Sequence, residues 1–260
     1  MYKALVLQKC VAPSRRTRIG IIGFILVTLA AGTAVAQETK NDKADGSWSG
    51  SAEASLVALS GNSNIRTFGL GGEATYDPGE WRWFGRFRHI ETASDEQLQA
   101  RSRSGLIETS RRLSGRIEAY GRGGYLRDLF AGIEGRLTTE GGLAYLAIRN
   151  APHSLRILFG LGVTREKRAV GNKLVLGTAS ATGRYTWEIT KTGTLTEEAV
   201  FVAGLNGGDD WRFTNEAAAT ASLGNRLSLK VSHRLSYLNM PVPGFRRTDS
   251  ILSTALVTNF

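Results

Sequence analysis

One cysteine, five prolines, three histidines and two methionines in 260 residues leave few of the side chains that build redox, disulfide or metal chemistry. The cysteine, Cys10, lies upstream of an N-terminal apolar run. A chain processed after that run has no thiol, which excludes disulfides, thiolate metal ligands and thiol nucleophiles. From Trp48 onward no segment carries apolar residues at helical spacing over a useful length, which excludes a helical bundle or a long amphipathic helix. A large charge excess is also absent. Half of the formal net charge of +10 comes from Lys3, Lys9, Arg15, Arg16 and Arg18 in the first 36 residues, where no acid occurs. The remainder is mildly basic, with no basic helix interleaved with aromatics, so no nucleic-acid partner is expected.

The N-terminus is organised for export. "RRTR" (Arg15–Arg18) precedes "IGIIGFILVTLAAGT", and "AVA" (Ala34–Ala36) closes the run. A basic region, a short apolar stretch and small residues at a cleavage point describe a secretory signal peptide over residues 1–36. The run is short for a retained span of ~20 residues. Residues 37–47 form a flexible polar leader, and no cofactor or metal motif follows.

Glycine is what the chain has in quantity, 31 residues, together with long alternating segments. In "RLSLKVSHRLSYL" (Arg226–Leu238), Leu227, Leu229, Val231, His233, Leu235 and Tyr237 oppose Arg226, Ser228, Lys230, Ser232, Arg234 and Ser236. A period of two is a strand with one apolar and one polar face. Such segments recur and predict about twelve strands. The first six fall near 48–59, 65–76, 81–92, 98–111, 115–127 and 136–149. The second six fall near 154–166, 173–189, 194–205, 211–223, 226–238 and 249–260. Short turns such as "DPGE" and "NAPH" alternate with longer polar connections such as "ETASDEQ", "RDLFAGIEG" and "LNMPVPGFRRTD". Only "LSGNSN" is short where the alternation requires length.

Two architectures suit such strands in an exported chain. In a soluble β-sandwich the apolar faces pack on each other; in a membrane barrel they meet lipid and the polar faces line a lumen. The strands are longer than the ~5–6 residues usual in sandwiches and match the ~9–11 of a tilted span. Aromatics (Trp48, Tyr76, Trp81, Tyr185, Trp187, Trp211, Tyr237) gather at strand ends, as an interfacial girdle requires. The chain ends "ALVTNF", and terminal Phe260 resembles the C-terminal signal that barrel-assembly machinery reads. The expectation is an all-β fold, a single-chain antiparallel transmembrane β-barrel of about twelve strands over residues 48–260, in the outer membrane of a Gram-negative bacterium. Its partners would be outer-membrane lipids and lipopolysaccharide, the export and assembly machinery, and small solutes or anions.

Four segments, "WSGSAEASLVALSGNSN" (Trp48–Asn64), "YLRDLFAGIEGRLTTEGGLAYLAI" (Tyr125–Ile148), "LFGLGVTREK" (Leu158–Lys167) and "NMPVPGFRRTDS" (Asn239–Ser250), resemble the YdiY-like family of salt-induced outer-membrane proteins, a domain-of-unknown-function family. Val163 and Thr164 depart from its usual pattern. The resemblance implies an outer-membrane barrel and a loose link to salt or osmotic stress, and it supplies no catalytic residues.

No catalytic set is visible and the chain is not expected to be an enzyme. Barrel lipases resemble one another in a His-x-Ser pair on the lipid face that activates the serine; two residues after His233 stands Leu235. His153 lies in a turn, and His89 precedes Glu91 by two residues. Asp209 and Asp210 read as a hydrated loop tip, and "GRGGYLRD" (Gly121–Asp128) lacks the helix a phosphate loop needs. What stands out is the charge on the polar faces. Arg82, Arg86, Arg88, Arg101, Arg103, Arg116, Arg122, Arg156, Arg184, Arg212, Lys230 and Arg234 are placed in the lumen. Against them stand Glu53, Glu73, Glu118, Glu140, Glu188, Glu198 and Glu216. Excess arginine would make a narrow anion-favouring pore; matched pairs would make a plug. Small residues (Gly69, Gly71, Ser180, Thr182, Ala218, Thr220) leave room inside. Three functions are therefore carried forward: a passive channel or envelope-stability protein, a lipid-modifying barrel enzyme, and a soluble sandwich.

Overall fold

A computed structural model describes residues 46–59, 65–94, 97–206 and 209–260. The expected signal peptide and all but the end of the leader lie outside the described residues. Twelve antiparallel strands close into a ring. They are β1 (Ser47–Leu59), β2 (Ile65–Asp77), β3 (Trp81–Ser94), β4 (Gln97–Arg112), β5 (Ile117–Asp128), β6 (Ile133–Ile148), β7 (His153–Arg168), β8 (Leu174–Thr190), β9 (Gly193–Gly204), β10 (Trp211–Ser222), β11 (Leu227–Leu238) and β12 (Thr248–Asn259). The alternating segments therefore form one closed barrel, and the two stacked layers of a sandwich are overturned. Closure gives every strand a neighbour on both sides. The seam is made by β1 and β12, where Ser51 registers with Asn259 and Ala54 with Leu256. Phe260 completes it, exchanging backbone hydrogen bonds of 2.9 and 3.0 Å with Gly50.

The strands run to between 12 and 17 residues, longer than a hydrocarbon span requires. They absorb much of two polar connections that sequence periodicity assigns to loops, "ETASDEQ" and "RDLFAGIEG": β3 and β4 are separated only by residues 95 and 96. Ladder pairing resumes beyond a register shift at Thr92/Ala93, which carries β3 and β4 past the apolar band. The longest connection, residues 239–247, joins β11 to β12. Its Val242 is buried, and the Phe245 ring covers Gly132, whose φ of +70° suits glycine alone. Gly132 belongs to the β5–β6 connection on the opposite side of the ring. The 239–247 loop thus reaches across the mouth of the barrel.

The apolar residues face outward. Ile107, Phe159, Leu161 and Leu252 are 61 to 74% exposed. Aromatic stacks mark both ends: Trp48 on Tyr76 at 4.6 Å at the short-turn end, and Trp211 on Tyr237 at 4.8 Å at the loop end. A protein packed against itself would bury these groups. The only buried hydrophobic cluster among the described residues is small: Tyr120, Ala144 and Leu158. It lies on the inner face, and glycine makes room for it. A Cβ on Gly142 would overlap the Phe159 carbonyl oxygen, and one on Gly160 the Tyr120 hydroxyl.

Candidate functional site: the charged lumen

Pairs between strands that are not neighbours identify the inner face. Arg88 on β3 makes a forked pair with Glu216 on β10 at 2.6 and 2.7 Å. Arg86 on β3 reaches Glu198 on β9 at 2.9 Å. Arg184 on β8 grips Glu108 on β4 through two bonds of 3.0 Å. These partners meet only through the lumen. Strand alternation then carries the assignment along the ladders. It places Arg82, Arg86, Arg88, Glu118, Arg122, Glu140, Arg156, Arg184, Arg212, Lys230 and Arg234 inside.

Three residues expected in the lumen are elsewhere. Arg101 registers with Glu91 and Arg103 with His89, and Ser104 with Arg88. Ser102 and Ser104 therefore point inward and both arginines point out. In "RSRS" (Arg101–Ser104) every candidate for either face is polar, so hydrophobicity does not choose the parity. Arg116 belongs to the exposed turn between β4 and β5. The same parity error conceals Glu108, which is inward and only 3% exposed. Arg136, Glu166, Arg168 and Tyr120 are also inward and were not anticipated. Their signal was available: Arg136 stands four residues before Glu140, and Tyr120 two before Arg122, on the same faces.

The inner side chains form a belt across the lumen, in the half of the strands nearer the short turns. Arg86 bridges Glu73 (3.1 Å) and Glu198; Glu198 also takes Arg184 (2.7 Å). Arg184 continues to Glu108, which accepts Arg156 at 2.6 Å, and Arg156 reaches Glu118 at 3.0 Å. One chain of charge-assisted bonds thus joins seven strands. Beside it Glu140 accepts from Arg122 (2.8 Å), the Tyr120 hydroxyl (2.7 Å) and Ser180 (3.1 Å), and Lys230 pairs with Glu53 at 2.7 Å. Nearer the loops, Glu166 receives Arg136 and Arg168, both at 2.5 Å. Arg212 reaches it only at 3.4 Å and keeps a buried Nε without a partner.

Between belt and loops lies a cavity of about 250 Å³, lined by seven arginine and three glutamate side chains. Arg234 lines it and, among the described residues, has no carboxylate within ion-pair distance. Its register partner Glu216 is already held by Arg88. The other six lining arginines each meet a carboxylate, so the charge left over at the cavity is that of Arg234, a cationic point inside the lumen that attracts small anions.

On the outer face one feature departs from expectation. The His233 Nε2 lies 2.8 Å from the Ser250 hydroxyl. Ser250 registers with Leu235, so the neighbouring strand supplies a serine where the His-x-Ser pattern lacks one. Among the described residues nothing hydrogen-bonds the His233 Nδ1. His153 bonds the Tyr185 hydroxyl at 2.7 Å and stacks between Tyr185 and Trp187.

Residues 52–260 match the family model DUF481, described as a protein of unknown function. No curated protein matches the sequence. Among solved structures the chain is similar to the NanC porin, with 10% identity and a TM-score of 0.45 over 81% of this chain and 97% of that one. It is also similar to an anion-selective porin from Comamonas acidovorans, with 9% identity and a TM-score of 0.39, covering 84% and 100%. A third is outer-membrane expressed OmpT of Vibrio cholerae, with 9% identity and a TM-score of 0.40, covering 86% and 99%.

Proposed function

The chain belongs to the DUF481 family of proteins of unknown function, and from that premise we propose that it is an exported outer-membrane β-barrel acting as a narrow, anion-favouring passage. The outer-membrane part rests on the outward aliphatics, the aromatic stacks at both ends and the closed ring, an arrangement that lipid stabilises and water does not. The passage rests on one observation: seven arginines and three glutamates around a cavity inside the lumen. Arg234, without a carboxylate partner among the described residues, repels cations there, and anions exchange between it and the neighbouring guanidinium groups.

Two structures limit flow. The ion-pair belt spans the lumen, and the 239–247 loop reaches over the mouth. Solutes larger than simple ions are excluded while both stay in place. Part-exposed ion pairs weaken as ionic strength rises, which offers a physical route to the salt response suggested by the resemblance to salt-induced proteins.

Planar-bilayer recording of the refolded mature chain tests this. Small current steps are expected, with a reversal potential favouring chloride over potassium, and conductance rising faster than bulk conductivity between 0.1 and 1 M salt (roughly the range over which the screening length falls from ~10 to ~3 Å). Arg88→Ser with Arg234→Ser should erase the anion preference. Cation preference in the unaltered protein, or silence even after residues 241–245 are removed, would replace the channel with an envelope-stability role.

The His233–Ser250 contact favours a second reading, a lipid-modifying enzyme in which His233 takes the Ser250 proton as the hydroxyl attacks an acyl ester. Release of fatty acid from phospholipid or lipopolysaccharide, abolished by Ser250→Ala, would establish it. Equal release by both forms would dismiss it.

A further inference from the structure

Outward-facing charge is uneven around the barrel. Arg101 and Arg103 lie in the first half of β4, Arg127 is the penultimate residue of β5, and Arg165 and Lys167 lie within the last four of β7. All five are therefore at the loop end, on one face spanning β4 to β7. Apolar outward positions adjoin them: Tyr125 and Leu137 share the ladder row of Arg165, and Ile107 and Leu161 lie farther toward mid-barrel, each well exposed.

The register of this patch is unfavourable as it stands. Arg103 sits directly opposite Arg127, and like charges in facing positions destabilise a ladder. Two carboxylates relieve the edges, Glu91 on Arg101 at 2.8 Å and Glu134 on Lys167 at 2.5 Å. Among the described residues no carboxylate lies within ion-pair distance of Arg103, Arg127 or Arg165. Three exposed guanidinium groups thus stand uncompensated beside an apolar wall. The complementary molecule is an amphiphile with apolar tails and phosphate oxyanions at its head, since guanidinium forks match phosphate geometry and bind it through paired hydrogen bonds.

We propose that this face binds a phosphorylated glycolipid of the outer leaflet, with its phosphate groups on Arg103, Arg127 and Arg165 and its acyl chains along Ile107, Tyr125, Leu137 and Leu161. The site rests on the outer-membrane reading and adds to it a specific lipid contact. Bound phosphate also removes the Arg103–Arg127 repulsion, so lipid and ladder stabilise each other.

The test is refolding into phosphatidylcholine vesicles with and without lipopolysaccharide, followed by detergent extraction and measurement of the glycolipid retained per barrel. Retention should fall at least tenfold in the Arg103→Ser, Arg127→Ser, Arg165→Ser triple variant. Lipopolysaccharide stripped of its lipid phosphates should show the same loss on the unaltered protein. Arg116→Ser, at the opposite end, should retain as much as the parent, and heat-resistant barrel mobility on gels confirms folding of each variant. Equal retention by the triple variant, equal retention of dephosphorylated glycolipid, or displacement by millimolar inorganic phosphate would each overturn the site. A barrel that enters phosphatidylcholine but shows no preference for the glycolipid refutes this inference alone. One that enters no bilayer refutes the membrane reading beneath it as well.

Discussion

Replacing Glu108 with glutamine probes the lumen where its charge is most concentrated. Glu108 is nearly inaccessible and accepts hydrogen bonds from Arg156 at 2.6 Å and from both terminal nitrogens of Arg184 at 3.0 Å. Glutamine preserves the volume but removes the charge and leaves two guanidinium groups facing each other. Removing one partner of a buried pair costs ~3–5 kcal/mol, and the lower end applies because the lumen is part-hydrated. A loss of about 3 kcal/mol is a ~100-fold shift in the folding equilibrium. Urea titration of vesicle-embedded barrel, followed by tryptophan fluorescence, reads it directly. Two further results follow from the same mechanism. Anion preference should increase, because two guanidinium groups lose a counter-charge. Adding Arg184→Gln should restore part of the stability, because fewer orphaned cations remain and the two substitutions share a partner. If Glu108→Gln shifts stability by less than ~0.5 kcal/mol and leaves ion preference unchanged, the belt is neither a brace nor a filter and the reasoning fails.

Three other outcomes are expected. Ile107→Arg places a cation on the outward face at mid-barrel and should destabilise the lipid-inserted protein by roughly 2–4 kcal/mol, measured by the same titration; a neutral effect would mean that water, not lipid, meets that face. Gly142→Ala puts a methyl against the Phe159 carbonyl, an obstacle made of backbone that cannot swing away, so the heat-resistant folded band should be lost, whereas Gly123→Ala, with open space around it, should fold normally. Deleting Phe260 removes two backbone bonds at the β1–β12 seam and the residue that resembles an assembly signal; the amount of folded barrel in outer-membrane fractions should drop severalfold (a ~1 kcal/mol penalty per lost bond), and unchanged levels would deny Phe260 any role in assembly.

Much of the architecture was legible because its cause is local. A side-chain period of two needs only neighbouring residues, so "RLSLKVSHRLSYL" reveals β11 and its two faces without any knowledge of the ring. The long apolar faces and the strand-end aromatics favour a barrel over a packed sandwich on similar grounds. Extension of the strands through "ETASDEQ" was not legible, because polar residues suit a loop and a ladder equally and only the neighbouring strand decides between them.

The sequence by itself determined that this chain makes about twelve half-apolar, half-charged ribbons, since alternation and composition are properties of the segments alone. Tertiary structure decided which charges meet. Arg88 and Glu216 are 128 positions apart in the chain and 2.6 Å apart in space, a contact that exists only because the ring closes. It also decided that Arg101 and Arg103 turn outward, since parity in an all-polar stretch is set by the register with β3. A lumen is a set of distances across a closed curve, and no local pattern encodes which points of that curve lie opposite one another.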